Sequence, residues 1–175
     1  SGPYQNQTGS DGITDTAYTI DTNNTDHYPL MGPFKTFYAG TWNGIPYNVD
    51  VISNSTASAF HFNPTEGSSI SFNVTGSSAT RGFSRVTIPK KLLWVQPPAT
   101  WTVLVGGTAV TPTTTEDANN TYLYFTYAHS TKTITITGTN TVPEFPSTTI
   151  LPLLVALTVL AIIFSKRRIH RKPKT

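Results

Sequence analysis

The chain has no cysteine among its 175 residues. That excludes a disulfide framework, a thiolate metal site and a cysteine nucleophile, so any folded part must rely on its core alone. Histidine is sparse and scattered. His27, His61, His129 and His170 form no His-x-His or His-x-x-x-His pair, and Met31 is the single thioether. A zinc or copper site would need distant histidines to converge, so none is expected. Charged residues are only 12% of the chain. Glu66, Glu116, Asp117 and Glu144 fall in turn-rich or proline-rich stretches, and no Gly-x-Ser-x-Gly elbow or phosphate-cradling loop occurs. The pairs and triads of hydrolase chemistry are therefore not legible. The chain reads as not an enzyme, with no cofactor.

The few charges are placed unevenly. Lys166, Arg167, Arg168, Arg171, Lys172 and Lys174 are six of the twelve bases, whereas residues 1–165 hold six bases and nine acids. The basic balance thus belongs to the tail, and a nucleic-acid surface is not implied. Between Glu144 and Lys166 lie 21 uncharged residues, twelve of them Leu, Ile, Val or Phe. As a helix at ~1.5 Å per residue they reach roughly 31 Å, about the thickness of a bilayer's hydrocarbon core. Pro152 falls in the first turn, where its missing N–H costs little. The expectation is a transmembrane helix over 149–165 in a lipid bilayer, a basic cytoplasmic tail over 166–175, and residues 1–145 outside the cell. The chain starts without Met or an apolar leader, so it is expected to be a mature or C-terminal piece of a longer protein.

Threonine is the commonest residue, with 32 copies. Five Asn-x-Thr sequons start at Asn6, Asn23, Asn54, Asn73 and Asn119, all before the apolar run, as expected of glycan acceptors on an outer surface. Compositional bias is the competing explanation.

Residues 1–34 are polar and cannot bury a core by themselves, so they must dock onto something. Asp11, Asp15, Asp21 and Asp26 recur here. They read as residues that close Asx-turns, with a calcium site as the open alternative. The text Ser10-Asp11-Gly12-Ile13-Thr14-Asp15, then Asn23-Asn24 and Tyr28-Pro29-Leu30-Met31-Gly32, resembles the closing turn of right-handed parallel β-helix proteins of the NosD and carbohydrate-binding repeat type. Thr14 and Ala17 depart from the Gly and Pro usual in that family. The resemblance implies a β-helix cap whose coils lie upstream.

Residues 35–140 alternate apolar and polar at Ile45 to Val51, Phe60 to Phe62, Ile70 to Val74, Val86 to Ile88, Trp101 to Val105 and Ile134 to Ile136. Tyr122–Tyr127 carries large residues on both faces and is expected in a sheet interior. Turn signals separate these runs, among them Asn43-Gly44, Gly106-Gly107 and His129-Ser130. The pattern predicts an all-β domain, a β-sandwich of Ig-like type with seven to nine strands. Trp42, Trp94, Trp101 and the phenylalanines are expected to fill its core. Pro89–Leu93 is expected to turn once between sheets. The stretches Phe72–Gly76, Val86–Lys90, Trp101–Val105 and Tyr124–Lys132 resemble a C-terminal module of archaeal surface proteins.

Over 141–148, prolines flank a single acid and make a stiff stalk. Pro143-Glu144-Phe145-Pro146, followed by the apolar run and Lys-Arg-Arg, resembles archaeal PEF-CTERM sorting signals. That resemblance implies an archaeosortase-like processing enzyme as a partner; an uncleaved anchor is the alternative. Together these readings describe a membrane-anchored extracellular display module. A carbohydrate-binding module acting on surface glycans, through aromatics such as Trp94 or Tyr47, is the second reading. Surface glycans or an S-layer are the partners it implies.

Overall fold

The computed structural model describes residues 11–65, 67–142, 155–160 and 162. Residues 1–142 and 143–175 form two separate units. In chain order the strands are β1 (Tyr18–Asp21), β2 (Asn24–Asp26), β3 (Phe34–Trp42), β4 (Ile45–Ser53), β5 (Thr56–Asn63), β6 (Ser69–Thr75) and β7 (Arg81–Pro89). They continue as β8 (Leu93–Trp94), β9 (Thr102–Val105), β10 (Thr108–Val110), β11 (Thr113–Glu116), β12 (Asn120–Ala128), β13 (Lys132–Thr137) and β14 (Asn140–Thr141).

Two five-stranded antiparallel sheets carry the domain, one ordered β11-β12-β7-β4-β3 and the other β10-β9-β13-β6-β5. The hairpins β3–β4, β5–β6, β9–β10 and β11–β12 each stay within one sheet. Asn43-Gly44 and Gly106-Gly107 close two of them with positive φ at both residues, the backbone that matches the twist of a tight hairpin. Alternation puts one side of every strand inward. Val51, Val86 and Leu123 are direct partners across the first sheet. Phe72, Ile134 and Val105 line up across the second, as do Ile70, Ile136 and Val103. All nine belong to a single buried cluster. One apolar layer shared by two sheets is the arrangement of a β-sandwich, and its burial is the main stabilising force in a chain without crosslinks. The all-β expectation and the inward alternation therefore hold.

Strand number differs from the expected seven to nine. Ten strands build the two large sheets, and β8 pairs with β14 separately. β3 is not legible as alternation because its register shifts between Tyr38 and Gly40; a bulge resets which side faces inward. Phe37, Ala39 and Trp42 all pack on the core as a result. β11 reads Thr-Thr-Thr-Glu and is exposed throughout, so it carries no apolar signal at all. The aromatic strand β12 is interior, as expected. Its Leu123, Phe125 and Tyr127 enter the main cluster, and Tyr124 faces the other side. Trp42, Trp94 and Trp101 do not fill the core: all three are half-buried, with Trp42 and Trp101 packed at its rim. Indoles are large, and facing strands of Val, Ile and Phe already occupy the ~10 Å layer between sheets. Pro89–Leu93 makes one hydrogen-bonded turn, Leu92 N–H to Pro89 O at 2.8 Å.

The segment before β3 packs on the outer face of the first sheet. Met31 rests on Ile52, Phe83 and Tyr124. Gly12 is buried against Phe83 and Arg85, where a Cβ would come within 3.0 Å of the Arg85 Cβ. Asp11 meets Arg85 at 3.5 Å, and Arg85 also lies 4.7 Å from the Tyr122 ring centre. The polar N-terminal stretch thus finds its apolar partners on this sheet. No β-helix coil is present among the described residues; β1 and β2 form an exposed two-stranded hairpin.

Val155–Leu160 and Ile162 are helical. Among the described residues no helix is long and apolar enough to cross a membrane. The rest of the expected span 149–165, the tail 166–175 and the Pro143-Glu144-Phe145-Pro146 motif lie outside the described residues, as does Asn6.

Candidate functional site

The four described sequons differ in what holds the asparagine. Asn23 and Asn119 are exposed in the β1–β2 and β11–β12 turns. Hydrogen bonds engage their backbones: Asn23 N–H donates to Asp21 Oδ1 at 2.8 Å and Asn119 N–H to Asp117 Oδ1 at 2.7 Å. Asn54 is different. Its Oδ1 accepts from Phe83 N–H and its Nδ2 donates to Arg81 O, each at 2.9 Å. That amide pins the β4–β5 turn to β7. Asn73 is half-buried on β6 and accepts from Thr133 Oγ1 at 2.9 Å.

Three of the four N-terminal aspartates close Asx-turns, as expected. Asp11, Asp21 and Asp26 each accept the backbone N–H two residues on, at 2.8–2.9 Å. The Asn24 side-chain amide and the Asn23 N–H hold the Asp21 carboxyl below its ordinary value. Among the described residues no group of three His, Asp or Glu could hold a metal ion. His27 and His61 are exposed and His129 is buried.

Asp117 organises the turn that carries Asn119. Its carboxylate accepts the Tyr122 hydroxyl at 2.5 Å and the N–H groups of Asn119 and Asn120 at 2.7 and 2.6 Å. These donors, Tyr122 first, hold its pKa down to about 2 and push the Tyr122 phenol up. Next to it, Lys90 meets Glu116 at 2.8 Å and depresses the Glu116 carboxyl. A carboxylate with a lowered native pKa contributes stability above its ordinary value of 3.8, and that contribution fades as pH falls from there toward about 2. Asp117→Asn should therefore be less stable than the parent at pH 6, with the gap closing across that window. Urea midpoints at pH 6, 4 and 2.5 check this; a gap independent of pH would contradict it.

A polar network is buried at one end of the sandwich. Ser53, Ser55, Ser84, Tyr127 and His129 are all buried, and Thr80 joins them from the loop before β7. Thr80 Oγ1 donates to Ser77 O at 2.6 Å and so accepts from His129 Nδ1–H. That leaves His129 Nε2 with a lone pair, which receives the Ser55 hydroxyl at 2.8 Å. The Ser55 proton is then committed, so Tyr127 OH donates to Ser55 Oγ at 2.9 Å. Ser84 Oγ lies 3.1 Å from Tyr127 OH, and Ser53 Oγ donates to Phe83 O at 2.5 Å. No buried side-chain nitrogen or oxygen among the described residues lacks a partner. The imidazole has room because Gly76 and Gly82 flank it; a Cβ on either would come within 2.7 Å of ring atoms. His129-Ser130 lies in the connection between β12 and β13, as expected, yet His129 is buried. The missed signal is the continuing period of two, Leu123, Phe125, Tyr127, His129, which carries the inward side one step past the strand.

Two clefts open at the sheet edges. One, of about 230 Å³, is lined by Pro33 to Lys35 and by Val51, Ser53 and Asn54–Ala57. The other, of about 430 Å³, is lined by Thr100–Val103, Ala109–Pro112 and Thr114. Its only aromatic is Trp101, it contains no charged side chain, and neither Trp94 nor Tyr47 reaches it. Comparison of the chain with family models, curated proteins and solved structures finds no match.

Proposed function

We propose that the chain is the membrane-proximal display module of a surface protein: an Ig-like, glycosylated β-sandwich held outside the cell by a C-terminal anchor. The observation that carries this reading is the 21-residue uncharged run ending at Lys166-Arg167-Arg168, which begins just after the compact unit closes at Val142. The compact unit ends two residues into the expected stalk 141–148, with Thr141 in β14 and Val142 buried. The likeness to archaeal β-helix caps and PEF-CTERM signals fits the same role, with the bilayer and a processing transpeptidase as partners. Deleting residues 147–175 from the secreted protein should move the domain from the membrane fraction into the medium. Retention of the truncated domain on membranes would overturn the anchor. Glycopeptide mass spectrometry should find Asn23 and Asn119 occupied well above Asn54, because the Asn54 amide is held against β7 through both its oxygen and the nitrogen a glycan must reach. Equal occupancy at all three would remove the structural distinction.

A second reading is favoured by the Trp101 cleft. Its volume lies within the ~300–1,000 Å³ range of small-ligand sites, and an indole beside threonine hydroxyls without charge suits a neutral sugar ring. Neutral-glycan array binding lost in Trp101→Ala, with the fold retained, would support it; an array without hits would leave the display role alone.

A further inference from the structure

We propose that Ser55 is an acylable nucleophile, activated by His129, in a small esterase-type site at the β3–β5 edge. A serine hydroxyl within about 2.6–3.2 Å of a base, itself oriented by a third group, is the arrangement that makes a serine reactive. Here Ser55 Oγ stands 2.8 Å from His129 Nε2. Thr80 is the positioning residue: because it donates to Ser77 O, it holds the proton on His129 Nδ1 and the lone pair toward Ser55. A buried polar network whose purpose is packing alone has no need of an outlet. This one has an outlet, since Ser53 and Ser55 line the cleft of about 230 Å³.

The same cleft contains a cation. Lys35 Nζ donates to Ala57 O at 2.7 Å and keeps two further N–H groups. It shares the cleft with Ser55, and a cation there favours negative charge developing on a carbonyl oxygen. The volume is below the ~300 Å³ typical of drug-sized ligands, and Phe34, Val51 and Ala57 make the wall apolar. The substrate class is therefore an ester of a short, uncharged acyl group. Ser55 Oγ bonds to the acyl carbon and its proton passes to His129 Nε2. The ester C–O bond breaks, and the leaving alkoxide takes that proton. Water then adds to the acyl-serine, gives its proton to His129, and releases the acid; the proton returns to Ser55 Oγ.

The test uses the full chain in detergent micelles and a fluorophosphonate probe, read by intact mass and peptide mapping. One adduct on Ser55 is expected, absent in Ser55→Ala. His129→Gln should label at least about 10²-fold more slowly, the usual loss on removing a general base. Thr80→Val should slow labelling and Thr80→Ser should restore it, a pattern that a merely structural role would not produce. Ser71→Ala, on β6 and outside both the network and the cleft, should label at the parent rate. If His129→Gln fails to fold, the Thr80 pair decides. A folded parent that stays unlabelled, a label on another serine, or undiminished labelling in folded His129→Gln or Thr80→Val overturns the proposal.

Discussion

Phe72→Ala is expected to cost about 3–5 kcal/mol, the usual loss for a buried phenylalanine in a close-packed interior. Phe72 is fully buried on β6, in register with Ile134, and Phe37 stacks on it with ring centres 6.3 Å apart. β6 and its neighbour β13 are each hydrogen-bonded on both sides, so they cannot collapse into the space. A domain of this size has about 5–15 kcal/mol in total, and no disulfide makes up the loss. Urea unfolding should show a large fall in midpoint with little change in slope. Phe34→Ala is the contrast. Phe34 is 55% exposed, and its loss should change stability by no more than about 0.5 kcal/mol. Similar effects at the two positions would mean that the shared layer between the sheets is not the core.

Gly82→Ala is the second large expectation, at about 2–4 kcal/mol, combining overpacking with loss of buried hydrogen bonds. The added methyl would come within 2.6–2.7 Å of His129 ring atoms and would also strike the Tyr127 ring. Neither ring can retreat freely. Tyr127 OH is held by Ser55 and Ser84, and His129 by Thr80 and Ser55. Moving them opens a network in which every polar atom is paired, and each orphaned group costs about 1–3 kcal/mol. The alanine chain should also lose part of its near-ultraviolet dichroism. In Gly82→Ala combined with Tyr127→Phe, the two costs should sum to more than the measured total, because both act on the same packing site. Strict additivity would show that Gly82 and Tyr127 do not meet.

Much of the fold was legible because burial in a sheet imposes a period of two. Ile70, Phe72 and Val74, Val103 and Val105, and Ile134 and Ile136 could be assigned inward from spacing alone, and all are buried. The signal failed where period and burial part company. The bulge in β3 breaks the alternation between Ala39 and Trp42. The edge strand β11 has one side facing solvent and no core contact to record. The tryptophans misled for the opposite reason: an apolar type need not lie deep if smaller side chains already fill the layer.

The candidate site was less legible. Ser53, Ser55, Thr80, Ser84, Tyr127 and His129 come from three separate stretches of chain, and no short motif joins them. Each is an ordinary residue by itself. The sequons show the same limit, since Asn23 and Asn54 carry equivalent signals in the text and only Asn54 has its amide committed to β7.

The amino-acid sequence alone determined the all-β character, the absence of sulfur chemistry and the separation of a polar front from an uncharged, base-ended tail, because composition and local spacing carry each of these. Only the tertiary structure decided which strands share a sheet, where the N-terminal stretch docks, and that a histidine past the end of β12 meets a serine from the β4–β5 turn. Those facts depend on contacts between residues distant in the chain, 74 positions apart for Ser55 and His129, which local pattern does not encode.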